Sequence, residues 1–314
     1  MRVAIMGSGG LGGMFGGLQA RAGHDVTFIA RGLNLQALQE GGITVRFPDA
    51  EFHLNAKATE DPSDIGPVDV VWFCVKTYDV AAAARQIVPL VGPETMVLTL
   101  QNGVGTAEQI DSLIGEGHVI GAVTAGGATL TQPGLVVTKQ PNTQVTLGEI
   151  RGGASRRTER LREELREAGI GVQVDPQIQI AIWDKFVAAC LTLGLCALMR
   201  LPLAPILACE ESAAFARGIL EEAEAVTRAN GIDLQPAATD RWLHFLHEYV
   251  ARNPAATGSM FYDLIEGRRL ELEAVNGAAV RLGRELGIPT PMNFAVYAAL
   301  MPYLNGAPLA ESRD

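Results

Sequence analysis

The sequence predicts an α/β domain built on a parallel sheet with helices on both faces, followed by an all-α domain. Three observations carry this reading. Apolar runs of strand length recur through the first half, among them RVAIM (2–6), HDVTFIAR (24–31), DVVWFCVK (69–76), TMVLTLQ (95–101) and HVIGAVT (118–124). Helical patterns such as TYDVAAAARQIVPLV (77–91) lie between them, and strands apolar throughout that alternate with helices are those of a sheet buried on both faces. After Asp175 the strand pattern stops and nearly everything reads as helix.

The chain of 314 residues suggests about two domains. With 48% hydrophobic and 19% charged residues it has ample core and is not of disordered composition. The boundary is expected near 175, giving domains 1–175 and 176–314. A net charge of −10 argues against a general binder of nucleic acid or anionic membranes. The N-terminus does not read as a signal peptide, since its apolar run is short and ends in glycines. The uncharged run 186–199 falls short of a bilayer span and reads as a core helix. Cys74, Cys190, Cys196 and Cys209 lie in apolar settings without CxxC spacing, as reduced core residues of a cytoplasmic protein would. His244 and His247 could share a helix face, but no third ligand presents itself, so no metal site is expected.

The elements follow in order. RVAIM runs into GSGGLG, which is G-x-G-x-x-G between a strand and a helix, with a second strand after it. That context is the dinucleotide fingerprint of a Rossmann-type domain. Gly7 permits the turn, Gly9 lets the backbone approach a pyrophosphate, and Gly12 lets helix and strand pack closely. The run Gly7, Ser8, Gly9, Gly10, Leu11 and Gly12 is therefore the candidate phosphate loop, capped by the N–H groups of a helix N-terminus. Arg31 follows the second strand, where an NAD site would usually carry a carboxylate for the ribose 2′-OH. A planar fork of donors there favours the 2′-phosphate of NADP. Lys76 closes one further strand and Asn102 opens the NGVG turn after another, so both fall beyond the carboxyl ends of the sheet, where ligands bind; a plain turn at Asn102-Gly103 and a solvated strand end at Lys76 stay open. PGLVVTKQ (133–140) and TQVTLGE (143–149) look like an antiparallel hairpin, 155–168 like a charged helix, and GVQV like a last strand.

In the second half, helices are expected over 177–199, 205–230, 236–252, 259–287 and 292–304. Lys185 sits near the head of the first. Ala189, Thr192 and Leu193 share its face by helical spacing. A lysine above so apolar a face would be partly desolvated and a candidate proton donor to a carbonyl oxygen. It could equally snorkel to solvent, paired with Asp184; the helix alone leaves both open.

The run SMFYDLIEGRRLELEAVNG (259–277), read as mostly regular helix, together with GSGGLG, CVK, NGVG and WDKF, resembles the ketopantoate reductase (2-dehydropantoate 2-reductase) family. The likeness runs in order over essentially the whole chain. It implies a Rossmann domain joined to a helical domain like that of 6-phosphogluconate dehydrogenase, and NADPH-dependent reduction of a small 2-keto acid, as in pantothenate biosynthesis. Lys185 would then be the general acid, Glu271 its acidic partner, Ser259 the holder of the substrate carboxylate, and Asn102 a neighbour of nicotinamide and substrate. Gly7, Gly9, Gly12, Arg31 and Lys76 would bind NADPH. The family usually has asparagines facing the substrate where this chain has Ala189 and Leu193, which bears on the identity of the keto acid. A D-2-hydroxyacid dehydrogenase of branched 2-keto acids, a 3-hydroxyacid or 6-phosphogluconate-type dehydrogenase, and a redox sensor binding NADP(H) without turnover are the alternatives. No nucleic acid, membrane or metal partner is expected; a homodimer is left open.

Overall fold

A computed structural model describes residues 1–124, 126–139, 143–234 and 238–308. The chain divides into two compact units, Met1–Gln101 with Gly105–Gln179, and Asn102–Val104 with Ile180–Asp314. The division falls four residues beyond the expected boundary, and the short Asn102–Val104 segment packs with the second unit.

The first unit alternates strands and helices: β1 (Arg2–Met6), α1 (Gly10–Arg21), β2 (Asp25–Ile29), α2 (Gly32–Gly41), β3 (Ile43–Arg46), β4 (Glu51–Leu54), β5 (Lys57–Thr59) and β6 (Val70–Phe73). There follow α3 (Val80–Gln86), β7 (Met96–Thr99), α4 (Thr106–Ile114), β8 (Val119–Thr124), β9 (Ala128–Gln132), β10 (Leu135–Thr138), β11 (Gln144–Glu149), α5 (Arg156–Glu167) and β12 (Gly171–Val174). The main sheet has the order β12-β11-β8-β7-β6-β1-β2-β5 and is parallel except where β11 meets β8. The period-2 geometry of a strand sends alternate residues to opposite faces. Val3 and Ile5 of β1 and Val70 and Trp72 of β6 therefore enter one core, while Ala4, Met6, Val71 and Phe73 enter another. Phe15 of α1 stacks on Trp72 with ring centroids 4.5 Å apart.

A second sheet, β4-β3-β10-β9, packs against the other side of α1. It corrects the expected hairpin: β10 pairs with β9 and β3, whereas β11 joins the main sheet beside β8. Alternating apolar residues in both runs made them strands without naming their partners. Two layers close on α1 because it is glycine-rich, with Gly16 against Phe28 and Gly13 against Val136.

The second unit contains α6 (Ile178–Ala189), a π-helical turn (Cys190–Leu195), α7 (Cys196–Met199), α8 (Leu203–Ala208), α9 (Glu210–Ala229), α10 (Ala238–Arg252), α11 (Ser259–Ile265), α12 (Asn276–Leu286) and α13 (Pro291–Leu300). The run Ile178–Met199 is 22 residues long with a mean hydropathy of 1.7, enough by length and composition to cross a membrane. Most of it is buried here, at the centre of the helical core with Ile219, Leu220, Leu272 and Val296. The helix expected over 259–287 is broken. Gly267, at φ +67°, receives the end of α11, with its N–H on Leu264 O and the Arg268 N–H on Asp263 O. That is a left-handed helix stop. Cys209 is exposed between α8 and α9, unlike the core residue expected; the other three cysteines are at least partly buried. His244 and His247 are exposed on α10, and no cluster of metal-ligating side chains occurs among the described residues.

Candidate functional site: a glycine loop and a lysine–glutamate pair

The strand order reverses at β1, which has β2 on one side and β6 on the other. In open α/β sheets ligands bind at such switch points, beyond the carboxyl ends of the strands. The Gly7–Gly12 loop, Arg31 and Lys76 follow β1, β2 and β6, so the sheet register brings these three positions to one edge. Gly7 has φ +93°, which a side chain would strain, and a Cβ at Gly12 would overlap the Gly7 carbonyl. Gly9 faces open space: a Cβ there would meet nothing within 4 Å. Gly10 is different, because a Cβ would strike the carbonyl of Ala128, so this glycine seats α1 against β9. No side chain caps the N-terminus of α1 and its first turn has no acidic residue. The N–H groups of Gly10, Leu11 and Gly12 have no partner within the helix. An open glycine beside unpartnered N–H donors fits a pyrophosphate.

Two polar side chains that the sequence did not single out hold this edge together. Asn34 on α2 donates from Nδ2 to the Ser8 carbonyl and Oγ, each at 3.0 Å, and its Oδ1 accepts from the Gly134 N–H. Gln101 donates from Nε2 to the Phe73 and Val75 carbonyls, tying the end of β7 to β6. Lys76 is half-buried at the start of a 3₁₀ turn, Thr77–Asp79. Arg31 is exposed, and its guanidinium pairs with Asp79 at 3.2 Å.

In the helical unit Lys185 lies on α6, only partly accessible. Burial pushes its ammonium below the usual lysine range, and the negative charge of Glu271 pulls it back up. Asp184 is not its partner: the Asp184 carboxylate accepts from Arg241 at 2.6 and 3.1 Å and from Trp242 Nε1 at 3.2 Å. The snorkelling pair allowed by the sequence is therefore excluded. Glu271 is buried, 5% exposed, and stands just ahead of a 3₁₀ turn, Leu272–Ala274, not within a regular helix. Asn102 is half-buried. The next residue, Gly103, has φ +86° and lies so near the Ala274 carbonyl that a Cβ would overlap it, which sets the NG turn against the segment carrying Glu271.

The face expected to unite Lys185 with Ala189, Thr192 and Leu193 is interrupted after Ala189, because the π turn winds more slowly than an α-helix. Ala189 and Leu193 are buried in the helical core, while Thr192 is half-buried and donates to the Ala188 carbonyl at 3.0 Å. Ser259 is exposed at the first position of α11, and its neighbour Gly258 packs on the Thr192 carbonyl and the Leu193 side chain. Asn276, another residue the sequence did not single out, is fully buried; it donates to the Cys190 carbonyl and to Asn293 Oδ1.

A parallel sheet with an open glycine loop at its switch point, joined to a helical unit holding a half-buried lysine whose charge is coupled to a buried glutamate, defines an oxidoreductase using a nicotinamide dinucleotide. Residues 3–152 match the family model for ketopantoate reductase PanE/ApbA and residues 177–303 that for its C-terminal domain. The chain belongs to the ketopantoate reductase family. It is 33% identical to the 2-dehydropantoate 2-reductase of Archaeoglobus fulgidus over 93% of this chain and 94% of that protein. It is 30% identical to the enzyme of the same name from Mesorhizobium japonicum over 95% and 96%. The crystal structure of 2-dehydropantoate 2-reductase from Geobacter metallireducens GS-15 superposes with a TM-score of 0.89 at 32% identity, covering 96% of this chain and 99% of that one. D-mandelate dehydrogenase, solved with NADH and anilino(oxo)acetate, shares the fold at 22% identity with a TM-score of 0.88.

Proposed function

We propose that this protein is a cytoplasmic 2-dehydropantoate 2-reductase that uses NADPH to reduce the 2-keto group of ketopantoate, giving pantoate. The observation that carries the reading is Lys185, half-buried on α6, with the charge of the buried Glu271 carboxylate acting on it. When bound, NADPH supplies a hydride to C2 of the keto acid. The carbonyl oxygen gains negative charge, which Lys185 stabilises and then neutralises by delivering its proton. Glu271 helps keep Lys185 protonated and accepts from a substrate hydroxyl. Ser259 anchors the carboxylate, and Asn102 orients the carbonyl. On the cofactor side, Gly7, Ser8, Gly9, Gly10, Leu11 and Gly12 hold the pyrophosphate and Lys76 a phosphate, while Arg31 takes the 2′-phosphate.

A second reading, a D-2-hydroxyacid dehydrogenase of other branched 2-keto acids, is favoured by one observation. Ala189 and Leu193 offer no hydrogen bond to a substrate hydroxyl. Steady-state oxidation of NADPH with ketopantoate, 2-ketoisovalerate, 2-ketoisocaproate and oxaloacetate separates the two. Turnover of ketopantoate at the highest kcat/KM supports the first reading; a preference for a keto acid lacking the hydroxymethyl group supports the second. No turnover of any of them overturns both.

A further inference from the structure

The guanidinium of Arg31 carries a carboxylate beside it. Among the described residues its one hydrogen bond is to Asp79, from Nη2 to Oδ2 at 3.2 Å. The two residues are far apart in sequence and meet because β2 and β6 flank β1 in the sheet. Arg31 opens α2 as its N-cap, directly after β2, and Asp79 ends the 3₁₀ turn that follows β6. The Arg31 side chain is 78% exposed and that of Asp79 33% exposed, so both can reach a ligand in solvent.

This pair presents two opposite chemistries at one point. An arginine fork has five N–H donors, of which Asp79 engages one, and the rest suit the three oxygens of a phosphate. A carboxylate suits a ribose hydroxyl, which donates to it, and repels a phosphate dianion. In NAD-binding Rossmann domains such an acid usually stands at the end of the second strand; here it arrives from the neighbouring strand instead.

We infer that Asp79 is a specificity-determining residue for the cofactor: its carboxylate opposes the 2′-phosphate held by Arg31 and accepts from the 2′-OH of NADH, so that the two cofactors bind with more similar affinity than Arg31 alone would allow. The inference rests on the reading of Arg31 as the 2′-phosphate ligand. Asp79→Asn removes the charge while keeping the shape and one acceptor oxygen. Less repulsion tightens NADPH, and loss of a charged acceptor weakens NADH. The ratio of the NADH to the NADPH dissociation constant therefore rises by about 3- to 30-fold. The rise shrinks at high salt, because the charges are exposed.

The experiment titrates NADPH and NADH, without substrate, into wild type, Asp79→Asn, Asp79→Ala and Arg31→Ala, following nicotinamide fluorescence at low and high salt. A higher NADH-to-NADPH ratio in both Asp79 variants is the expected result. A ratio within twofold of wild type in both, or NADPH bound more weakly by Asp79→Asn, overturns the inference, the latter because Asp79 would then serve only to orient Arg31. Arg31→Ala separates the two claims. If it leaves NADPH affinity unchanged, the reading of Arg31 fails, whatever Asp79 does. If it weakens NADPH while the Asp79 variants keep the wild-type ratio, that reading stands and the role of Asp79 falls.

Discussion

Asn276 at the head of α12 donates a hydrogen bond to the carbonyl of Cys190, 3.0 Å away, in the π turn that follows the Lys185 helix. The bond joins two segments remote in sequence, one after Lys185 and one after Glu271. A π turn pairs its carbonyls with N–H groups five residues on instead of four, and the buried Asn276 amide adds a donor from another element to one of them. Asn276 also donates to Asn293, which in turn donates to Glu222 at 2.9 Å.

Asn276→Ala should therefore lower the unfolding free energy by about 1–3 kcal/mol, the cost of leaving buried polar groups unpaired. Urea denaturation checks this. A loss below about 0.5 kcal/mol, the size of a neutral surface change, would show that the π turn does not depend on the bond.

The proposed substrate wall gives a second prediction. With Ala189 and Leu193 apolar and buried, the enzyme should discriminate less sharply between ketopantoate and 2-ketoisovalerate than a site built around asparagines. The two acids differ by a hydroxymethyl group. The ratio of their kcat/KM values is the test, and a preference for ketopantoate near the ~10⁴-fold of a dedicated hydroxyl site would refute the idea.

Cofactor binding gives a third. Arg31→Ala should weaken NADPH by about 1–3 kcal/mol and leave NADH little changed, the size expected for a charged hydrogen bond. Equilibrium titration of both cofactors decides, and a wild type that prefers NADH would contradict the assignment of Arg31.

The pH profile is a fourth. On the proposed mechanism protonated Lys185 is the active form, and burial lowers its pKa. The rate of reduction should therefore fall with rising pH through a limb lying below the usual lysine range. Glu271 raises that pKa, so Glu271→Gln should move the limb to still lower pH. Folding is linked to the same group. The unfolded chain holds this proton more tightly, so the cost of burying the charge is present in full below the folded pKa. It is relieved as pH rises from there towards the unfolded value. A limb that stays in place in Glu271→Gln would show that the two charges are not coupled.

How much of this was legible in the sequence follows from how local each signal is. The Gly7–Gly12 turn, the strands around it and the helical second half could be read because turn chemistry and periodicity act over a few residues. The break before Glu271 was also written locally, in Gly267 of the EGRR run, but the apolar spacing on either side read as one helix. Asn34, Gln101, Asp79 and Asn276 could not be found this way. Asn34 acts on Ser8, 26 residues away, and Asn276 on Cys190, 86 away. Only the fold decides those pairings. The π turn was hidden for a related reason: nothing in CLTLGL departs from an α-helical pattern, and its widened winding is held by a side chain from α12.

The central claim is that Lys185 delivers the proton, and the kcat of Lys185→Ala tests it most directly. Measured on the best keto acid with saturating NADPH, kcat should fall by about 10²–10⁴, the usual worth of positioned proton transfer. The alkaline limb should vanish, and NADPH affinity should stay near that of wild type. Turnover within about threefold of wild type, with the alkaline limb intact, would contradict the account.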